Sequence, residues 1–391
     1  MKLGLLPGGV SGSGGPSTYV IGVALGLARQ PHIRVDPLLL GLRQVTPRGR
    51  AQRRLVCELL GSGVGQVRGR PVGRRLHASG LRALLPRYDC LFGKHDVYHQ
   101  THLDVDPLVP GERLVLTLHD LVAERWPDEG GLLPGAEHLL CRAAAVITVS
   151  TASKKIIQAR FPELNPDRLH VIWNGVDHSI FHPEQLPHEQ DQIERLGVPG
   201  RYLLYVGGLS MRKNLSTLLD AYKSVRDLHP EGPDLVLIGP WHRDGLLAAQ
   251  GRDGVVVLGS VPSGAVASLM RGAVAVVIPS RDEGFGLPVL EAQACGTPIV
   301  CSDIDAFTEV GGDAPYYVDT SSVEALVAAL RDVLPRLDQE RSARTDMGIG
   351  HAAQFSWDRS AAAHRVVYDQ VMRQARDQRK DRSIRRRIST C

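Results

Sequence analysis

The sequence is short of the features that would place it in a class at a glance. Its six cysteines, at positions 57, 90, 141, 295, 301 and 391, form no Cys-x-x-Cys pair and no zinc-finger spacing, which argues against a dithiol redox centre and a cysteine-based metal site. They read as reduced, mostly buried thiols. The apolar stretch at the N-terminus reaches Pro7, Gly8 and Gly9 too soon for a signal peptide or a membrane span, so a cytoplasmic protein is expected. A third glycine is missing after Gly12 and Gly14, where Ser17 stands instead, so the fingerprint of a dinucleotide-binding loop fails. The net charge of +4 over 391 residues is too small to imply a partner by itself.

What is present is a soluble, two-domain composition. A hydrophobic content of 43% and a charged content of 23% suit globular domains, and 391 residues are enough for two cores. The charge is unevenly spread. Between Arg43 and Arg87 stand eleven arginines with Glu58 as the one acid among them, and Arg373 to Arg387 is a second basic run. Such clusters point to an anionic surface or substrate. They carry no interleaved aromatic platform and no recognised motif, so nucleic acid is not expected.

Apolar runs punctuated by glycine give the organisation. Leu3 to Leu6 reads as a strand, Pro7 to Ser17 as a glycine-rich loop, and Thr18 to Ala28 as a helix capped by Ser17. Val35 to Leu40 is a second strand. Two further short apolar runs end in His99 and His119, which puts both rings at carboxyl ends of strands, where ligands of doubly wound sheets bind. After the strand Ala145 to Val149, Ser150 caps a helix to Phe161. A new series of strands starts at Tyr202, and the loop Gly207 to Asn214 carries Arg212 and Lys213 before a helix Leu215 to Leu228. Two cations and two glycines at a helix start suit a diphosphate.

The organising stretch lies further on. The apolar run Ala273 to Ile278 reads as a buried strand, Gly284-Phe285-Gly286 as a tight loop with open backbone N–H groups, and Pro288 to Cys295 as a helix. Glu283 sits in the loop and Glu291 two turns into an otherwise apolar helix, so both carboxylates can face one cleft.

From Glu283-Gly284-Phe285-Gly286-Leu287-Pro288-Val289-Leu290-Glu291 through Cys295-Gly296-Thr297-Pro298, the stretch resembles the Glu-x7-Glu signature of retaining glycosyltransferases with the GT-B fold. That resemblance implies two Rossmann-like doubly wound domains facing across a cleft, with a last helix crossing back to the first domain. The expected division is 1–180 for the acceptor-side domain, 181–200 for a linker, 201–355 for the nucleotide-sugar domain, 356–375 for the crossing helix and 376–391 for a disordered basic tail.

The resemblance also assigns roles. His119 would hold the sugar and stabilise charge near the anomeric carbon, and Glu283 would bind sugar hydroxyls. Glu291 would hold the ribose. Arg212, Lys213 and the N–H groups of Phe285, Gly286 and Leu287 would take the diphosphate, with Gly14 and Gly15 of the first loop beside it. The backbone near Val261 would meet the base. Many members carry an arginine where this chain has Gly208, which leaves Arg212 to share its charge with Lys213.

The implied reaction is a metal-independent, configuration-retaining hexosyl transfer that needs no cofactor. The donor is a nucleotide diphosphate sugar, GDP-mannose or a UDP-hexose, and the acceptor a hydroxyl of a saccharide or lipid-linked molecule. The Arg43 to Arg87 surface would meet an anionic membrane on its cytoplasmic face. Asp104-Val105-Asp106 and Asp303-Ile304-Asp305 look like metal signatures, but 27 aspartates give about two such pairs by chance. A nonhydrolysing nucleotide-sugar epimerase of the same fold and a catalytically silent binding protein stay open as alternatives.

Overall fold

The computed structural model describes residues 1–6, 15–40, 68–70, 94–103, 109, 111–126, 128, 135–240, 249 and 251–388. Within them the chain forms two parallel sheets. The first holds β1 Lys2–Leu6, β2 Arg34–Leu40, β3 Arg68–Arg70, β4 Val97–Gln100, β5 Leu114–Thr117, β6 Ala145–Thr148 and β7 Leu169–Val171, in the spatial order β3-β2-β1-β4-β5-β6-β7. The second holds β8 Tyr202–Val206, β9 Asp234–Ile238, β10 Val255–Gly259, β11 Ala275–Ile278, β12 Ile299–Ser302 and β13 Tyr316–Val318, in the order β10-β9-β8-β11-β12-β13.

Each sheet winds outward in both directions from its first strand. The order therefore reverses between β1 and β4, with Leu3 beside Val97, and between β8 and β11, with Leu203 beside Ala275. Crevices open at the carboxyl ends of strands at such switch points. The strands are buried on both faces, as in parallel sheets: every residue of β4, β5, β6 and β11 is buried, the polar His99 and Gln100 of β4 included. Burying a side chain such as Val277 or Ile278 contributes about 1.5–3 kcal/mol, and an aspartate there would lose that and add an unpaired charge.

Two helices tie the ends of the chain together. The helix Gly15–Ala28 follows β1, and the long helix Trp357–Ile388 returns from the second domain to lie on it. Side chains at Gly22 and Gly26 would run into the ring and backbone of Trp357, so the two helices approach at glycine level. Arg29 Nη1 and Asp358 Oδ1 close the contact at 2.6 Å. Trp357, Ser360, Ala361, His364, Tyr368, Val371 and Ala375 form the buried stripe of the crossing helix, at spacings of three and four. Among the described residues no helix is long and apolar enough to cross a membrane.

Several expectations need correction. The first helix starts at Gly15, not Thr18, so Ser17 lies inside it, buried, and does not cap it. Proline is favoured in a first turn, and Pro16 fits one that begins at Gly15. His99 does lie at the carboxyl end of β4, next to its last residue, but it is fully buried there. The segment expected as linker carries the helix Glu189–Arg195, clamped to the helix Ser263–Gly272 by the buried pair Glu189 and Arg271. The last helix continues to Ile388, so most of the basic tail is helical: arginine, lysine and glutamine are good helix formers and extend a helix already nucleated by packing. The helices Asp305–Gly311 and Leu337–Ala352 and the short strand β13 were not anticipated. Leu337–Ala352 buries Leu337, Gly348 and Ala352, too sparse a stripe to read in sequence.

Candidate active site

The two crevices face each other, and the carboxyl ends of β5, β8 and β11 supply the side chains between them. His119 follows β5 by two residues. Its Nε2 lies 3.1 Å from the carbonyl oxygen of Thr101, and its own carbonyl accepts from Thr148 Oγ1 at 3.3 Å. Since a carbonyl only accepts, Nε2 carries the proton and Nδ1 the lone pair. Burial, and next the neighbouring His102, push its pKa down to about 4, so the ring is neutral at physiological pH.

The loop after β8 folds as a short 3-10 turn, Met211–Lys213, ending at Asn214 with φ of 56°, a conformation asparagine tolerates well. That turn aims Arg212 and Lys213 at one carboxylate: Arg212 Nη1 to Glu283 Oε2 is 2.7 Å, and Lys213 Nζ to Glu283 Oε1 is 2.6 Å. The loops are also joined along the backbone, Arg281 N donating to Arg212 O at 2.8 Å. Burial alone would raise the Glu283 carboxyl. Lys213 and Arg212 outweigh it and hold the pKa below its ordinary value. The residues expected to serve phosphate and sugar separately are thus brought into one ion cluster with one net positive charge.

Glu283 is bracketed by two residues that the first domain holds. Asp282 accepts from Arg125 Nη2 at 2.7 Å and from Trp126 Nε1 at 3.0 Å. The carbonyl of Gly284 accepts from Ser150 Oγ at 2.6 Å and Ser153 Oγ at 3.0 Å. A further grip lies beside it, where Glu309 receives Thr151 N at 2.8 Å, Ala152 N at 3.0 Å and Trp173 Nε1 at 2.7 Å. Asp120, Ser150, Ser153 and Glu309 belong to the cleft, and none of them stands out in the sequence as a site residue. Asp120 stands next to His119, and Ser150 reads only as the helix cap that it is.

The helix Leu287–Ala294 starts after Gly286, whose φ of 110° is a glycine conformation and whose missing side chain makes room for Phe307. Among the described residues no hydrogen bond takes up the N–H groups of Phe285, Gly286 or Leu287. Phe285 is buried, while Leu287 faces Gly15 across the cleft: its Cδ1 would lie 3.7 Å from a Cβ at that position. Gly14 lies outside the described residues. On the same helix Glu291 is partly buried, and among the described residues no hydrogen bond or ion pair reaches its carboxylate. Burial raises its pKa to about 7. Val261 lies past the end of β10 at the sheet edge, two strands from β8, and packs against the core. The Arg43 to Arg87 cluster has no described side chains.

This arrangement matches known proteins on both sides of the cleft. Residues 188–347 fit the model described as glycosyl transferases group 1, and residues 13–180 the one described as glycosyltransferase family 4. Both halves of the chain thus fit glycosyltransferase models, the second half that of group 1. It is 40% identical over 167 residues to O-antigen chain mannosyltransferase B of Escherichia coli, covering 40% of this chain and 42% of that protein. It is 29% identical over 266 residues to D-inositol 3-phosphate glycosyltransferase of Jonesia denitrificans, covering 63% and 61%. The chain thus spans less than two thirds of either relative. Among solved structures, Anabaena HepE in complex with UDP and glucose superposes with a TM-score of 0.70 at 18% identity, covering 95% of this chain and 100% of that one. The fold is the two-domain GT-B arrangement.

Proposed function

We propose that this protein is a group 1 glycosyltransferase that moves a hexose from a nucleotide diphosphate sugar to a hydroxyl of a saccharide or lipid-linked acceptor, retaining anomeric configuration and requiring no metal. The observation that carries the reading is the Arg212, Lys213 and Glu283 cluster, set in a loop whose flanking residues are gripped by the opposite domain. Cations there can neutralise the charge that grows on a departing nucleotide diphosphate. The N–H groups of Phe285, Gly286 and Leu287, unpaired among the described residues, add donors for the same oxygens, with Gly14 and Gly15 beside them and the backbone near Val261 at the base.

Neutral His119 offers Nδ1 as an acceptor for a sugar hydroxyl, and Glu283 offers carboxylate oxygens once its cations turn to phosphate. Glu291 receives the ribose hydroxyls, which supply the donors its partly buried carboxylate lacks among the described residues. The acceptor hydroxyl attacks the face the leaving group vacates, and the leaving phosphate takes its proton.

The mannosyltransferase among the relatives and the UDP complex among the structural neighbours support GDP-mannose and UDP-hexoses as the first donors to try. The arginines from Arg43 to Arg87 are assigned to an anionic acceptor or membrane surface on the cytoplasmic side, on sequence grounds. A thermal-shift screen against GDP-, UDP-, ADP- and dTDP-sugars tests donor binding, since a ligand at one hundred times its Kd stabilises by about 2.7 kcal/mol. The product's anomeric configuration and turnover in chelator then test retention and metal independence. An inverted product, or no stabilisation by any nucleotide sugar, would overturn the proposal.

A further inference from the structure

Between the helix Gly15–Ala28 and the crossing helix lies a string of fully buried polar side chains that the reaction above does not use. Tyr368 Oη is 2.8 Å from His99 Nδ1, and His99 Nε2 is 2.8 Å from Thr117 Oγ1. Thr117 Oγ1 is 2.8 Å from Tyr19 Oη, and Tyr19 Oη is 2.7 Å from His364 Nε2. The string ends where His364 Nδ1 meets the carbonyl oxygen of Ser360 at 2.7 Å.

Its direction can be assigned atom by atom. The Ser360 carbonyl only accepts, so His364 Nδ1 carries a proton. Burial keeps both imidazoles neutral, driving His364 down to about 4 and His99 well below its ordinary value. His364 Nε2 is then an acceptor, and the Tyr19 hydroxyl donates to it. Tyr19 Oη in turn accepts from Thr117, which leaves Thr117 Oγ1 to accept from His99 Nε2–H. The Tyr368 hydroxyl donates to His99 Nδ1. Each link has one donor and one acceptor, and the string starts and finishes on the crossing helix.

The middle of this string touches the site. With its hydroxyl held on both sides, the Tyr19 ring stands edge-on to the His119 imidazole, with centroids 4.7 Å apart and planes at 86°. Thr101 fixes which His119 nitrogen bears the proton, and Tyr19 fixes one side of the ring itself.

We propose that His364, on the crossing helix, is a positioning residue for His119, acting by accepting the Tyr19 hydroxyl proton and so holding the ring against which His119 stands. The inference rests on reading His119 as a residue at the sugar, and its test separates the two.

The test compares wild type with His364→Leu, which removes the acceptor, His364→Gln, which keeps one, and Tyr19→Phe, which keeps the ring and deletes the link. For each folded protein, kcat and donor KM are measured for nucleotide-sugar turnover, and the His119 ring nitrogens are followed by NMR, assigned against His119→Gln. We expect kcat to fall about 10- to 100-fold in His364→Leu and Tyr19→Phe with donor KM within about twofold, as for a reacting group held slightly out of place. The His119 nitrogen signals should move in both, and His364→Gln should recover most of kcat. Turnover within about twofold of wild type in folded His364→Leu, or unmoved His119 signals, overturns the proposal. Tyr19→Phe decides it on the same criteria if His364→Leu does not fold. If wild type turns over no nucleotide sugar, the reading of function falls, while the NMR comparison still judges the positioning.

Discussion

Gly284 faces Asp120 across the cleft so closely that a methyl group on Gly284 would run into the Asp120 carboxylate. The relation couples the residue after His119 to the residue after Glu283. Burial raises the pKa of Asp120, whose Oδ1 accepts from Val122 N at 3.0 Å. Gly284→Ala should therefore cost the closed arrangement about 1–3 kcal/mol through overpacking. Turnover should fall about 5- to 150-fold, and small-angle scattering should report a larger radius of gyration. Asp120→Ala in the same chain should restore closure. Unchanged turnover and radius in Gly284→Ala would show that the contact does not control the cleft.

The pairing of Glu283 with both cations makes an opposed prediction for binding and turnover. Glu283→Gln should lower kcat about 100-fold or more if, as proposed, its carboxylate contacts the sugar. The same change releases Arg212 and Lys213 from an internal carboxylate, so free nucleoside diphosphate should bind about 3- to 10-fold tighter. Calorimetry reads this directly. Weaker nucleotide binding would mean that Glu283 holds the cations in place for phosphate instead of competing with it.

Glu291 gives a pH dependence with a definite sign. Its folded pKa of about 7 lies above the ordinary 4.5, so between those values the folded protein holds a proton that the unfolded chain has released. Stability should fall as pH rises from about 4.5 to 7 and then level off, by about 3 kcal/mol at most. Glu291→Gln should flatten this. If Glu291 holds the ribose as proposed, the hydroxyls donate to its ionised form, so nucleotide binding should tighten as pH rises through 7 in wild type and stay level in the variant. Titrations at pH 6, 7 and 8 that give one affinity for wild type would remove Glu291 from the ribose.

A stability prediction falls on the connecting segment. Glu189 Oε2 accepts from Arg271 Nε at 3.0 Å, and Ser268 Oγ donates to Oε1 at 3.0 Å, with both charged side chains nearly inaccessible. Arg271→Ala should cost about 3–5 kcal/mol by stranding the carboxylate, whereas replacing both members with methionine should come close to the parent. Urea unfolding of the two variants checks this. Equal losses in both would assign the effect to packing alone.

Much of the second domain was legible because its signals are local. The strand Tyr202–Val206 and the helix Leu215–Leu228 appear where apolar period and glycine put them. Glu283, Arg212 and Lys213 likewise stood out as candidates, yet their mutual pairing did not, since it depends on how two loops 70 and 71 residues apart approach. The string from Tyr368 to Ser360 was invisible for a stronger form of the same reason. Tyr19 and His364 are 345 residues apart, and each read alone as an ordinary helical residue. The missing signal at Gly22, Gly26 and Gly175 is of that kind too: their need for small size comes from Trp357, far along the chain.

The same long reach limits how this protein can be recombined. The sheet that carries His119 ends at Val171, but the side chains that orient Tyr19 beside it are encoded near the other end of the chain. A chimera that exchanges only the N-terminal half with a relative would keep the histidine and lose its brace. The first sheet and the stretch from Trp357 to Ala375 are therefore two pieces of sequence that must be inherited as one.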